Sequence, residues 1–210
     1  STPGTLVAVV DGSTLSATVT GLTNGTSYTF SVAASNAIGT SDPSAPSGSV
    51  TPKGAPLSPT GVMATAGNAE AIVGWVTPAS DGGSAINFFL ATSDPGSLTA
   101  VAGGSATSTI VTGLTNGAAY TFTVTATNAL GTSQPSTSSL SVMPKGPPGA
   151  PTNVTAIAGY ESATVSWVAP ASDGGSLIIQ YSVSSTLGSI GAVVGGSTLS
   201  AIVTGLTNGV

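Results

Sequence analysis

No cysteine, histidine or arginine occurs in this 210-residue chain. Without cysteine there can be no disulfide, thiol nucleophile or thiolate metal site. Without histidine the usual general base and the usual metal ligand are missing. Lys53 and Lys145 are the only basic side chains. A nucleic-acid partner needs many phosphate-neutralising cations, and two lysines in a chain of net charge −5 do not supply them. Charged residues make up 4% of the chain, against about 25% in an ordinary soluble domain. Long apolar runs are also missing. Nothing approaches the ~20 successive apolar residues of a membrane helix, so no membrane insertion is expected. The chain opens without an initiating Met or a signal peptide, and reads as a piece of a longer precursor or a processed form.

What is present is repetition. Thr20-Gly21-Leu22-Thr23-Asn24-Gly25 recurs as Thr112-Gly113-Leu114-Thr115-Asn116-Gly117 and as Thr204-Gly205-Leu206-Thr207-Asn208-Gly209, each 92 residues after the last. Trp75 and Trp167 keep that step, as do Pro52-Lys53-Gly54 and Pro144-Lys145-Gly146. A long fixed period without insertions means an array of whole domains. The period divides the chain into residues 1–53, the C-terminal part of a module, 54–145, a complete module, and 146–210, the N-terminal part of a third. Incomplete sandwiches leave open edges. They are expected either to be a window on a longer array, the favoured reading, or to be completed by neighbouring chains.

Within 54–145, Val62, Ala64 and Ala66 alternate with Met63 and Thr65, and Ala71, Val73 and Trp75 alternate with Ile72 and Gly74. Both read as strands. Ser80-Asp81-Gly82-Gly83-Ser84 is a turn. Ile86–Ala91 is a third strand, and a weak one follows near Leu98–Ala102. Thr107–Thr112 is a further strand, with Thr109 and Val111 on one face. Tyr120, Phe122, Val124 and Ala126 give the clearest period of two. Ser138–Val142 is expected to be the last strand. Seven short strands with frequent turn signals and no helical period read as a β-sandwich.

Trp75 on the second strand, with the run Leu114-x-x-Gly117-x-x-Tyr120-x-Phe122-x-Val124-x-Ala126-x-Asn128, resembles the fibronectin type III family. Phe89, matched by Tyr181, sits where that family usually has Tyr. Asp81-Gly82-Gly83-Ser84 and Asp173-Gly174-Gly175-Ser176 resemble its loop after the second strand. Asn116 departs from the pattern, standing where Pro is common, and is expected to leave the fold intact. The resemblance implies an all-β chain of tandem seven-stranded, immunoglobulin-like sandwiches in a linear array. It also implies a tyrosine corner at Tyr120 and Tyr28. The expected structural core is Trp75, Trp167, Leu22, Tyr28, Leu114 and Tyr120.

No pair of acids suits acid–base chemistry, so no enzyme activity and no catalytic residue is expected. Asp81 and Asp173 each offer one carboxylate, far from the six to eight oxygens calcium takes. Their turn role is preferred, and no metal or cofactor is expected. Asn24-Gly25-Thr26 and Asn153-Val154-Thr155 fit the N-glycosylation pattern, but such short patterns arise often by chance. The Asn-Gly turns at Asn24, Asn116 and Asn208 read as hairpin punctuation. Short Pro-rich linkers restrict the angles between modules, and near-neutral faces offer little like-charge repulsion. The chain is therefore expected to be a structural segment of an extracellular or cell-surface fibre, of bacterial type, self-associating into a filament or sheath. The stalk of an adhesin, or spacers of a secreted polysaccharide-degrading enzyme, are the alternatives. Expected partners are neighbouring modules and copies of the chain, with surface glycans or a terminal adhesive domain as further candidates.

Overall fold

Alternation of apolar and hydroxyl residues, with Pro and Gly between the runs, gives strands joined by turns. The computed structural model describes residues 1–187 and 189–209, and every helix or strand among them is a strand. Residues 54–145 form β1 (Thr60–Ala66), β2 (Glu70–Val76), β3 (Ile86–Asp94), β4 (Thr99–Gly103), β5 (Ser108–Thr112), β6 (Thr121–Asn128) and the two-residue β7 (Gly131–Thr132). Further along lie β8 (Thr152–Gly159), β9 (Ser162–Val168), β10 (Gln180–Ser184), β11 (Gly191–Gly195) and β12 (Ser200–Thr204). The sheets are β1-β2-β5, β4-β3-β6-β7, β12-β9-β8 and β10-β11.

Cα proximity divides the chain into two compact units. One is Ser1–Ala64 with Val73–Ile110 and Thr121–Leu140, and the other is Thr65–Ile72 with Val111–Tyr120 and Ser141–Val210. The division does not fall at the Pro-rich linkers: Pro52–Pro56 lies inside the first unit and Pro144–Gly149 inside the second.

In the first unit, antiparallel pairing sets Phe89 opposite Ala126, Ala91 opposite Val124 and Ser93 opposite Phe122. These six residues form the buried row. Trp75, from β2, meets Phe89 with ring centroids 5.1 Å apart and planes tilted by 47°, a geometry that suits the ring quadrupoles. Phe89, Phe122, Val73 and Val124 are fully enclosed, each contributing roughly 1.5–3 kcal/mol by leaving water. In the second unit Trp167, Tyr181 and Ala201 form a smaller core with Val165, Ile178, Val183, Ala192 and Val194 against it.

The last strand expected at Ser138–Val142 is not a regular strand. Only Val142 forms a bridge, with Tyr120. The N–H groups of Ser133, Ser136 and Ser139 donate to the carbonyls of Ala126, Val124 and Phe122 at 2.8, 3.0 and 2.9 Å. Three residues therefore advance as far as two of β6, about 6.8 Å. A strand cannot keep that step, because its side chains repeat every second residue. Here Ser recurs every third. Each Ser hydroxyl accepts from the N–H of the same β6 residue, at 3.0–3.1 Å. It donates in turn to the carbonyl of the residue after it, at 2.8 Å. The same ladder ties Ser41, Ser44 and Ser47 to Ala34, Val32 and Phe30. Residues 1–53 otherwise carry only isolated bridges.

Candidate functional site

The rings singled out from the sequence point inward. Trp75, Trp167, Tyr28 and Tyr120 are buried, as is Leu114. The Trp167 ring lies against Tyr181, centroids 5.2 Å apart. Both indole N–H groups are enclosed without a hydrogen-bond acceptor. Rings so enclosed offer no flat platform to a sugar. Leu22 departs from the expected core, being only half-buried. The Leu114 N–H is held by the Ala69 carbonyl, in the β1–β2 turn, at 3.0 Å. Among residues 1–53 there is no such strand pair to anchor and cover Leu22.

The phenol oxygens accept backbone hydrogen bonds upstream: Thr115 N–H donates to Tyr120 Oη at 3.1 Å, and Thr23 N–H to Tyr28 Oη at 3.0 Å. The backbone bond from Thr23, helped by side-chain bonds from Thr23 and Thr26, holds the Tyr28 hydroxyl below its ordinary pKa against a smaller desolvation effect. Three of the seven acids serve turns. Asp81 Oδ1 accepts from Gly83 N–H at 2.8 Å and Asp173 Oδ1 from Gly175 N–H at 2.9 Å. Asp11 Oδ1 accepts from the Ser13 and Thr14 hydroxyls and from Ser13 N–H, which hold its carboxyl below the usual range. Among the described residues no three acidic side chains gather as a metal site. The open cleft beside Thr77, Ile86 and Ser105 has Asp81 as its one ionisable side chain.

Polar organisation concentrates at the Asn-Gly turns. They read as hairpin punctuation in the sequence, but Asn116-Gly117 joins β5 to β6, strands of different sheets. Asn116 works as a clamp. Its Oδ1 accepts from Ala69 N–H and its Nδ2 donates to Asn68 Oδ1, both at 2.8 Å. Ala69 sits in the β1–β2 turn with φ 56°, and Asn116 supplies the acceptor that its backbone N–H requires. Asn208 repeats the device, its Oδ1 accepting from Glu161 N–H at 3.0 Å where φ is 46°. A Pro at these positions offers no side-chain amide, which gives the departure from the family pattern a physical reason.

The linkers are held by backbone. In the second unit Gly117 N–H donates to Pro144 O, Lys145 N–H to Gly67 O, Gly146 N–H to Gly174 O and Gly149 N–H to Ser172 O, at 2.8–3.0 Å. In the first, Gly25 N–H donates to Pro52 O, Gly54 N–H to Gly82 O and Leu57 N–H to Ser80 O, over the same range. Asn128 gathers three segments there. Its Nδ2 donates to Gly54 O and Asp81 O at 2.8 and 2.7 Å, while its Oδ1 accepts from Leu130 and Gly131 N–H. In the sequence Asn128 stands out only as the last residue of the alternating run. The signal for more was its buried position in the alternation, where a polar side chain needs partners.

Buried aromatic rings, tyrosine corners and turn-forming aspartates define a class of β-sandwich modules built for packing. Residues 2–50 and 57–142 match the fibronectin type III domain, well over half of the chain. The chain belongs to the fibronectin type III family, whose domains are generally non-catalytic and typically extracellular. It is 39% identical over 80 residues to a Kelch domain-containing protein of Saccharolobus solfataricus, a match covering 38% of this chain and 11% of that protein. Among solved structures it is similar to the FN1-FN3 domains of chicken CNTN1, at 19% identity and TM-score 0.43, over 90% of this chain and 68% of that one. Domains A168-A170 of titin match at 29% identity and TM-score 0.38, over 42% of this chain and 32% of that one. No helix among the described residues is long and apolar enough to cross a membrane.

Proposed function

We propose that the chain is a non-catalytic structural segment of a long extracellular or cell-surface fibre, whose copies associate side by side into a filament or sheath. The observation that carries this reading is the outer face of the sheet β4-β3-β6. Its cross-strand rows are Thr99, Thr92 and Thr123, then Val101, Leu90 and Thr125, then Gly103, Phe88 and Thr127. The one charged side chain on this face is Asp94, which stands opposite Thr121 at the end of β3. Val101 is exposed and Phe88 partly so. A soluble surface normally carries like charge that keeps copies apart, and this one presents threonine hydroxyls beside apolar groups. Bonded linkers favour a spacer role by limiting swing between consecutive repeats.

Sedimentation velocity over rising concentration tests the association. Growing species are expected, and replacing Val101 and Thr125 by Lys should return the chain to a monomer. A monodisperse monomer at every concentration sinks the filament reading. The Kelch domain-containing relative supports a second reading, spacer modules within a larger multidomain protein, since the match covers so little of it.

A further inference from the structure

Near the linkers, Gly82, Gly174 and Gly175 each stand where an added side chain would meet the backbone of another segment. We propose that the Asn-Gly turn of one repeat is a socket for the Asp-Gly-Gly-Ser loop of the repeat that follows, and that it admits only a loop whose second glycine carries no side chain. The inference deepens the spacer reading and rests on it. The partner it specifies is a module of the same kind with glycine at that loop position.

In the second unit the socket is Asn116-Gly117 with Pro144, and the inserted loop is Asp173–Ser176. A methyl added at Gly175 would lie 2.6 Å from the Gly117 nitrogen, 2.8 Å from its Cα and 3.0 Å from Pro144 O. These atoms are backbone and cannot turn aside as a side-chain end would. From the other side, a methyl at Gly117 would stand 3.2 Å from Gly175 Cα. The loop is shaped before it docks: Asp173 Oδ1 holds Gly175 N–H, and Ser172 Oγ holds Gly174 N–H at 3.1 Å. Gly146 N–H then closes on Gly174 O, tying the linker to the loop.

The first unit holds the same arrangement with more room. A methyl at Gly83 would lie 3.3 Å from Gly25 Cα and 3.4 Å from Pro52 O. Ser80 Oγ adds a bond to Asn24 O at 3.3 Å. Gly83 and Gly175 share nearly the same backbone angle, φ 76° and 80°. Alanine therefore strains both alike, while the clash is severe only at Gly175. Gly96, at φ 93° with its nearest neighbour 3.9 Å away, carries strain without contact.

The absence of cysteine allows two labels to be placed without background. Thr112→Cys and Thr155→Cys are exposed positions within the second unit. Pulsed dipolar spectroscopy between spin labels there is expected to give one narrow distance distribution. Gly175→Ala should broaden it about twofold or more as the linker becomes a free tether, while Gly96→Ala leaves it narrow. A broad distribution in the parent chain would overturn the spacer reading. A narrow parent with an equally narrow Gly175→Ala overturns the socket alone, and so does equal broadening by Gly96→Ala. If Gly175→Ala does not fold, Gly117→Ala presses on the same contact more gently, and an unchanged width there overturns the socket.

Discussion

Residues 29–47 and 121–139 are two copies of one pattern, yet their surroundings differ. Val124 is wholly enclosed, and its counterpart Val32 is 75% exposed. Phe122 is buried and Phe30 only half-buried. The tyrosine corner nevertheless closes in both, with Tyr28 and Tyr120 equally buried, and the serine ladder keeps its bonds in both. These contacts join residues 5 to 17 apart in the chain, and closing so short a loop costs little. Burial of the β6 row comes instead from its pairing with β3, a partner distant in the chain. The corner and the ladder are thus locally encoded, and the core is not.

The largest effect that separates the two copies should come from the Phe pair. Phe122→Ala empties a fully enclosed site and should cost about 3–5 kcal/mol. Phe30→Ala removes a ring already in contact with water and should cost below about 1 kcal/mol. Chemical denaturation followed by the fluorescence of Trp75 measures the first, and the amide spectrum of residues 28–50 the second. Equal losses would mean that Phe30 is enclosed after all.

The asparagine pair sharpens the same contrast. Asn128 uses both ends of its amide, but Asn36 keeps only the acceptor side, holding Ile38 and Gly39 N–H at 2.9 and 3.1 Å. Asn128→Ala would strand the carbonyls of Gly54 and Asp81 and two N–H groups, at about 2–3 kcal/mol. Asn36→Ala should cost under about 1 kcal/mol, since water replaces its bonds. Hydrogen exchange at Gly54 would quicken in Asn128→Ala only. An unchanged rate there would mean that Asn128 does not hold the linker.

Alternation of two made β1, β2 and β6 readable in the sequence, because burial on one face imposes it. Trp75 and Tyr120 were readable as core for the same reason. The last segment misled because Ser138–Val142 has the composition of a strand, while its bonds follow Ser133, Ser136 and Ser139 at intervals of three. That interval lay in the sequence, twice, under residues too common to draw notice. The clamp at Asn116 and the fit of Gly175 onto Gly117 were not readable. Each depends on which turn meets which loop across 47 or more residues, and a local pattern holds no such information. Leu22 shows the same limit: it sits in the same local pattern as Leu114 yet is only half-buried, because that pattern does not specify what packs over it.

The smallest expected difference lies in the ladder. Ser136 Oγ accepts from Val124 N–H at 3.0 Å inside the central repeat, and Ser44 Oγ accepts from Val32 N–H at 3.1 Å in an exposed setting. Ser136→Ala leaves a donor without a partner where little water reaches, and should cost about 1–2 kcal/mol. Ser44→Ala lets water take the bond and should fall within about 0.5 kcal/mol of the parent. The N–H of Ser136 still reaches the Val124 carbonyl, so the ladder should loosen at one rung while the backbone stays in place. Amide exchange at Val124 should accelerate, with Phe122 and Ala126 little changed. Were exchange to accelerate along all of β6, the three hydroxyls would be acting as one cooperative latch, and the segment after β7 would be held by its side chains more than by its backbone.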